Sequence, residues 1–75
     1  MQDQVFEVLR EALENEEKEI DLKDFFREYE EWDSLARMAL IAELDERFEV
    51  SIESENFEKL KTVGDLVNAV QRLRA

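Results

Sequence analysis

Seventy-five residues allow one domain, and a small one, which buries only about 60% of the surface its unfolded chain exposes. One Gly, no Pro and 41% charged residues read as all-α, and the lack of Cys and His excludes disulfides, thiolate metal sites, thiol nucleophiles and the commonest general base. Twenty-one acidic against ten basic residues, a net of −11, argue against nucleic acid and anionic membranes and for partners with basic patches. No apolar run is long enough for a leader or a membrane span, so the expected location is cytoplasmic.

Residues from about Asp3 to Glu14 predict a first helix. Val5, Val8, Leu9, Ala12 and Leu13 fall on one face at helical spacing, with Phe6 at its edge and Glu7, Glu11 and Glu14 opposite. Asn15 is the expected stop. From Glu16 to Trp32 periodicity is poor, yet Ile20, Leu22, Phe25, Phe26, Tyr29 and Trp32 recur through it. That pattern predicts a segment pinned across the bundle by its aromatics, with a short helical turn near Lys23 to Arg27. Phe25, Phe26, Tyr29, Trp32 and Phe48 are read as packing anchors rather than a ligand cage.

Ser34 to Phe48 is free of Gly, Pro and Asn and rich in Ala, Leu, Met, Glu and Arg, so a helix of about four turns is expected, capped by Asp33 or Ser34. At about 100° of rotation per residue from Leu35, Leu40, Ile41, Leu44 and Phe48 fall between roughly 140° and 240°, a core-facing stripe. Leu35, Met38, Ala39 and Ala42 fall on the other side, among Asp45, Glu46 and Glu49. This second apolar face, mixed with acids, serves either a helix buried on two sides or a surface that meets a partner.

Val50 and Ile52 are expected to tuck inward from a short connector. Glu53 to Leu60 predicts a short third helix with Phe57 and Leu60 inward and Ser51 or Ser54 as its cap. Thr62-Val63-Gly64-Asp65 has the form of a capping box with Asp in place of Glu. It opens a last helix to about Leu73, with Val63, Leu66, Val67, Val70 and Leu73 on one face and Arg72 and Arg74 complementing the helix dipole. The expected architecture is one domain over 1–75, an all-α four-helix bundle of three longer helices and one short.

Little chemistry is available to such a chain. Acid–base catalysis needs carboxylates held in environments that push their pKa values apart, and a small bundle of solvated acids offers none. Asp21 to Asp24 lacks the alternating ligands and central glycine of a calcium loop, and a single Gly64 excludes glycine-rich phosphate loops. Neither a catalytic residue nor a metal site is assigned, and the chain is not read as an enzyme. Ser34 remains: as a cap, or as the bearer of a phosphate group, which the first-turn N–H groups and the helix dipole would stabilise.

Trp32-Asp33-Ser34-Leu35, with Leu40, Leu44, Asp45, Glu46 and Phe48, then Ile52, Glu58, Leu60 and Thr62-Val63, resembles the acyl carrier protein family over nearly the whole chain. The resemblance implies that Ser34, flanked by Asp33 and Leu35, carries 4′-phosphopantetheine, transferred from coenzyme A by a separate magnesium-dependent phosphopantetheinyl transferase. The prosthetic thiol would compensate for the lack of cysteine. It implies further that Leu35, Met38 and Ala42 give apolar contacts to partner synthase enzymes. Asp45, Glu46, Glu53, Glu55 and Glu58 would meet basic residues on those partners, which acylate or modify a cargo held as a thioester. Tyr29-Glu30-Glu31-Trp32 stands where the family often has Gly, and Ala39 stands where it often has an acid. The Trp-Asp-Ser-Leu form looks more like discrete carriers of specialised pathways, polyketide or other, than the general fatty-acid carrier, and a monomer is expected. The competing expectation is an acidic helical adaptor that binds through the Leu35–Met38 face with no covalent modification.

Overall fold

The computed structural model describes residues 1–74, in the order α1 (Gln2–Ala12), a 3₁₀ turn (Phe26–Glu28), α2 (Ser34–Phe48), α3 (Ser54–Glu58) and α4 (Val63–Arg74). The expected bundle of three longer helices and one short is what forms. Val5, Val8 and Leu9 of α1 meet Leu40 and Leu44 of α2 and Leu66 and Val70 of α4 in the core, with Phe57 of α3 closing it. Each such side chain contributes about 1.5–3 kcal/mol by leaving water. Val50 and Ile52 are buried as expected. Outside the core, Arg47 ties α2 to α1 through Glu11 at 2.6 Å and braces its own helix through Glu43 at 3.3 Å.

The first helix ends earlier than expected and stops differently. Glu14, not Asn15, takes the left-handed conformation at φ 57°. Its N–H donates to Glu11 O (3.1 Å), and the Asn15 N–H donates to Arg10 O (3.0 Å), which together seal the last carbonyls in a Schellman arrangement. α2 ends in the same hand: Glu49 lies at φ 56°, with its N–H on Asp45 O at 2.9 Å.

The connector from α1 to α2 corrects two expectations. The helical turn forms at Phe26–Glu28 rather than at Lys23 to Arg27. Upstream, the Asp21 carboxylate accepts from Lys23 N at 2.9 Å and the Asp24 carboxylate from Asp21 N at 3.0 Å, an Asp-closed turn that competes with helix. Phe25 is no packing anchor, being 51% exposed. Its backbone bridges to Thr62, and the alternation of an extended segment then turns Phe26 inward and Phe25 outward. Tyr29 and Trp32 are half-buried against the core as expected.

This connector is stapled to the start of α4. Val63 N donates to Asp24 O (2.9 Å) and Gly64 N to Leu22 O (2.8 Å). A Cβ on Gly64 would stand 3.1 Å from Leu22 O, so the chain's one glycine sits where backbone passes closest to backbone. The capping box forms as expected: Asp65 N donates to Thr62 Oγ1, and Thr62 N and Lys61 N donate to Asp65 Oδ2. Those two donors hold the Asp65 carboxyl below its ordinary range.

Two further expectations fail at the far end. α3 is only five residues long, and neither Ser51 nor Ser54 caps it; Glu53 occupies the N-cap with no side-chain bond. Leu73 does not join the core face of α4 and is 53% exposed.

Candidate functional site

The head of α2 is built by Asp33. Its backbone is extended (φ −153°), and its carboxylate accepts from Ala36 N at 2.7 Å, which leaves the serine beside it free of the capping role. Ser34 is therefore the first helical residue, exposed, with its own amide and that of Leu35 among the unpaired N–H groups of the first turn. Arg37 lies three residues on, about 5–6 Å away between Cβ atoms on a helix surface. Two free amides and the positive helix end form a donor set that suits an anionic phosphodiester on Ser34 Oγ, while the Arg37 guanidinium faces Glu58.

The second face of α2 is not buried. Leu35 is 75% and Met38 64% exposed, and Ala42, Asp45 and Glu46 are exposed beside them. Of the acids expected to meet partners, Glu53 and Glu55 also stand exposed around α3. Glu58 is exposed but not free: Arg37 Nη2 lies 3.2 Å from its carboxylate and Arg27 Nη2 3.8 Å.

Behind the serine the structure is filled by aromatic rings. Phe26 meets Trp32 edge-on at 5.2 Å and Phe57 at 5.8 Å, and Trp32 stacks on Phe57 at 6.3 Å. Arg27 and Arg37 lie over the Phe57 ring at 5.0 and 5.4 Å. Arg27 also donates to Phe57 O at 2.6 Å and to Leu60 O, so a guanidinium from the connector binds carbonyls at and just beyond the end of α3. Leu40, Leu44 and Phe57 are fully buried and Leu60 half-buried.

Just before the site, Glu31 holds the connector. It accepts from the Asn15 amide at 2.9 Å and faces Lys18 Nζ at 3.0 Å, and these two donors bring its pKa down to about 2. Lys18 also lies over the Tyr29 ring at 4.4 Å. The Tyr29 phenol donates to Asp24 at 2.7 Å; burial first, and then that bond, push its pKa well above the usual range.

Sequence reasoning missed the two arginines. A signal existed for one of them: Arg37 falls at roughly 200° on the helix wheel, inside the core stripe between Leu44 and Phe48. A charge in that position needs a partner across the interface, and here it has Phe57 and Glu58. For Arg27 no periodic pattern gave warning.

Residues 3–70 match the family model described as phosphopantetheine attachment site. The chain is 40% identical over 67 residues to acyl carrier protein from Exiguobacterium sibiricum, covering 89% of this chain and 85% of that one. It is 32% identical over 69 residues to acyl carrier protein from Kocuria rhizophila, covering 92% and 85%. The solution structure of holo acyl carrier protein from Geobacter metallireducens superposes with a TM-score of 0.83 at 25% identity, over 96% of this chain and 83% of that one.

Proposed function

This chain belongs to the acyl carrier protein family, whose members bear covalent 4′-phosphopantetheine, and from that membership we propose that Ser34 Oγ is the point of attachment. The observation that carries the assignment is the division of labour at the head of α2. Asp33 takes the cap and Ser34 keeps an exposed hydroxyl next to free amides. When bound, the group supplies a thiol that holds cargo as a thioester.

The chain performs no catalysis in this reading. Residues 1–75 act as one monomeric cytoplasmic carrier domain that raises the local concentration of a tethered intermediate for successive enzymes. Leu35, Met38 and Ala42 supply apolar contact to those enzymes, while Asp45, Glu46, Glu53 and Glu55 steer their basic patches. Glu58 joins them only when its arginines release it. Ala39 and Trp32 beside the motif favour a specialised acyl or polyketide pathway over general fatty-acid synthesis.

The test is intact mass before and after incubation with coenzyme A, magnesium and a broad-specificity phosphopantetheinyl transferase. One phosphopantetheine increment in the wild type, and none in Ser34→Ala, is the expected result. An unchanged mass on the folded chain with more than one transferase would replace this reading with an adaptor working through the Leu35–Met38 face.

A further inference from the structure

Arg37 stands at a junction between two anions. One is the Glu58 carboxylate, 3.2 Å from its guanidinium in the structure. The other is the phosphodiester that Ser34 carries in the reading above, on which this inference rests. Serine and arginine are three residues apart on α2, and long side chains on a helix lean back toward its N-terminus, here over the Ser34 turn.

We propose that loading of Ser34 draws Arg37 from Glu58 to the phosphodiester, and so reports the modification state of the chain to α3. Three features favour the exchange. The guanidinium can grip the two free oxygens of a phosphodiester in the same fork geometry that it offers a carboxylate. Its plane stays against the Phe57 ring, a nonpolar surface that does not dictate which anion the edge faces. Glu58 is not orphaned by the exchange, because Arg27 already stands 3.8 Å away as a second cation.

The consequence falls on α3 because little else holds that helix. It has five residues and no side-chain cap at its start. Phe57 anchors it in the core, Arg27 closes its carbonyl end, and Arg37–Glu58 is the tether to α2. Release of the tether leaves α3 in place on its ring and loosens its solvent side, with Glu58 held by Arg27 alone. An unloaded carrier thus shows partner enzymes a more tightly held α3 than a loaded one.

Amide hydrogen exchange at Phe57, whose N–H donates to Glu53 O at 2.9 Å, reads the change directly in protein whose loading is established by intact mass. Exchange in the loaded wild type is expected to be roughly two- to fivefold faster than in the unloaded protein, the scale of one exposed ion pair. Arg37→Gln should abolish that difference and move the ³¹P resonance of the arm. Glu58→Gln, which breaks the pair from the other side, should give an unloaded protein that already exchanges at the loaded rate. Equal exchange in loaded and unloaded wild type would overturn the proposal and leave the attachment reading intact. A chain that gains no mass fails at attachment, and the proposal falls with it.

Discussion

α2 and α3 are adjacent in sequence and are held in opposite ways. α2 carries its own instructions: an Asp33 cap, an uninterrupted run of good helix formers, a core stripe against α1 and a left-handed stop at Glu49. α3 has five residues and no side-chain cap, and depends on groups from elsewhere, namely the Phe26 and Trp32 rings, the Arg27 guanidinium and the Arg37 tether. A helix too short to be stable alone exists because its surroundings supply what its sequence lacks. The fixed helix presents the serine, and the borrowed helix lies where, in the proposal above, its position answers to what the serine carries.

The contrast can be broken most forcefully at Phe57. Phe57→Ala removes the ring on which Phe26, Trp32 and both arginines converge, and should cost about 3–5 kcal/mol in urea unfolding, enough to unfold much of a small domain. Arg27→Ala leaves the carbonyls of Phe57 and Leu60 without their charged donor. About 1.5–3 kcal/mol should be lost, with exchange protection falling in α3 before α2. Asp33→Ala tests the self-sufficient helix and should cost only about 1 kcal/mol, since the cap is one of several supports. A larger loss from Asp33→Ala than from Arg27→Ala would reverse the comparison.

The smallest effect belongs to the connector ahead of α2 and depends on pH. Glu31 is depressed from an ordinary 4.5 to about 2 by Asn15 and Lys18. A depressed carboxyl contributes stability that is fully present above its unfolded value and is lost as pH falls through its folded one. The melting-temperature gap between wild type and Glu31→Gln should therefore be constant above pH 4.5 and close as pH falls toward 2. A gap that persists at pH 2 would mean that Glu31 acts by shape rather than by charge.

The same contrast explains what could be read from the sequence. α1, α2 and α4 announce themselves by period, and the capping box at Thr62 and Asp65 closes as its spacing demands. The Leu35–Met38 face was legible as a second apolar stripe, but its residues left it either buried or turned to a partner, and the structure leaves it exposed. Arg27, Phe25 and the ends of α3 were not, because their positions are decided across the fold, by a bridge to Thr62 and by carbonyls that need a donor. At the site, Ser34 could be picked out by motif, but the sequence left the cap between Asp33 and Ser34, and only geometry assigns it to Asp33.

The staple between the connector and α4 has a mechanical consequence. Tension applied to α1 and α4 runs along α1 into residues 22–24, crosses the hydrogen bonds to Val63 and Gly64, and leaves through α4. α2 and α3 lie wholly on the bypassed loop between those points. While the staple holds, tension carried along the backbone need not pass through the helix that bears the serine.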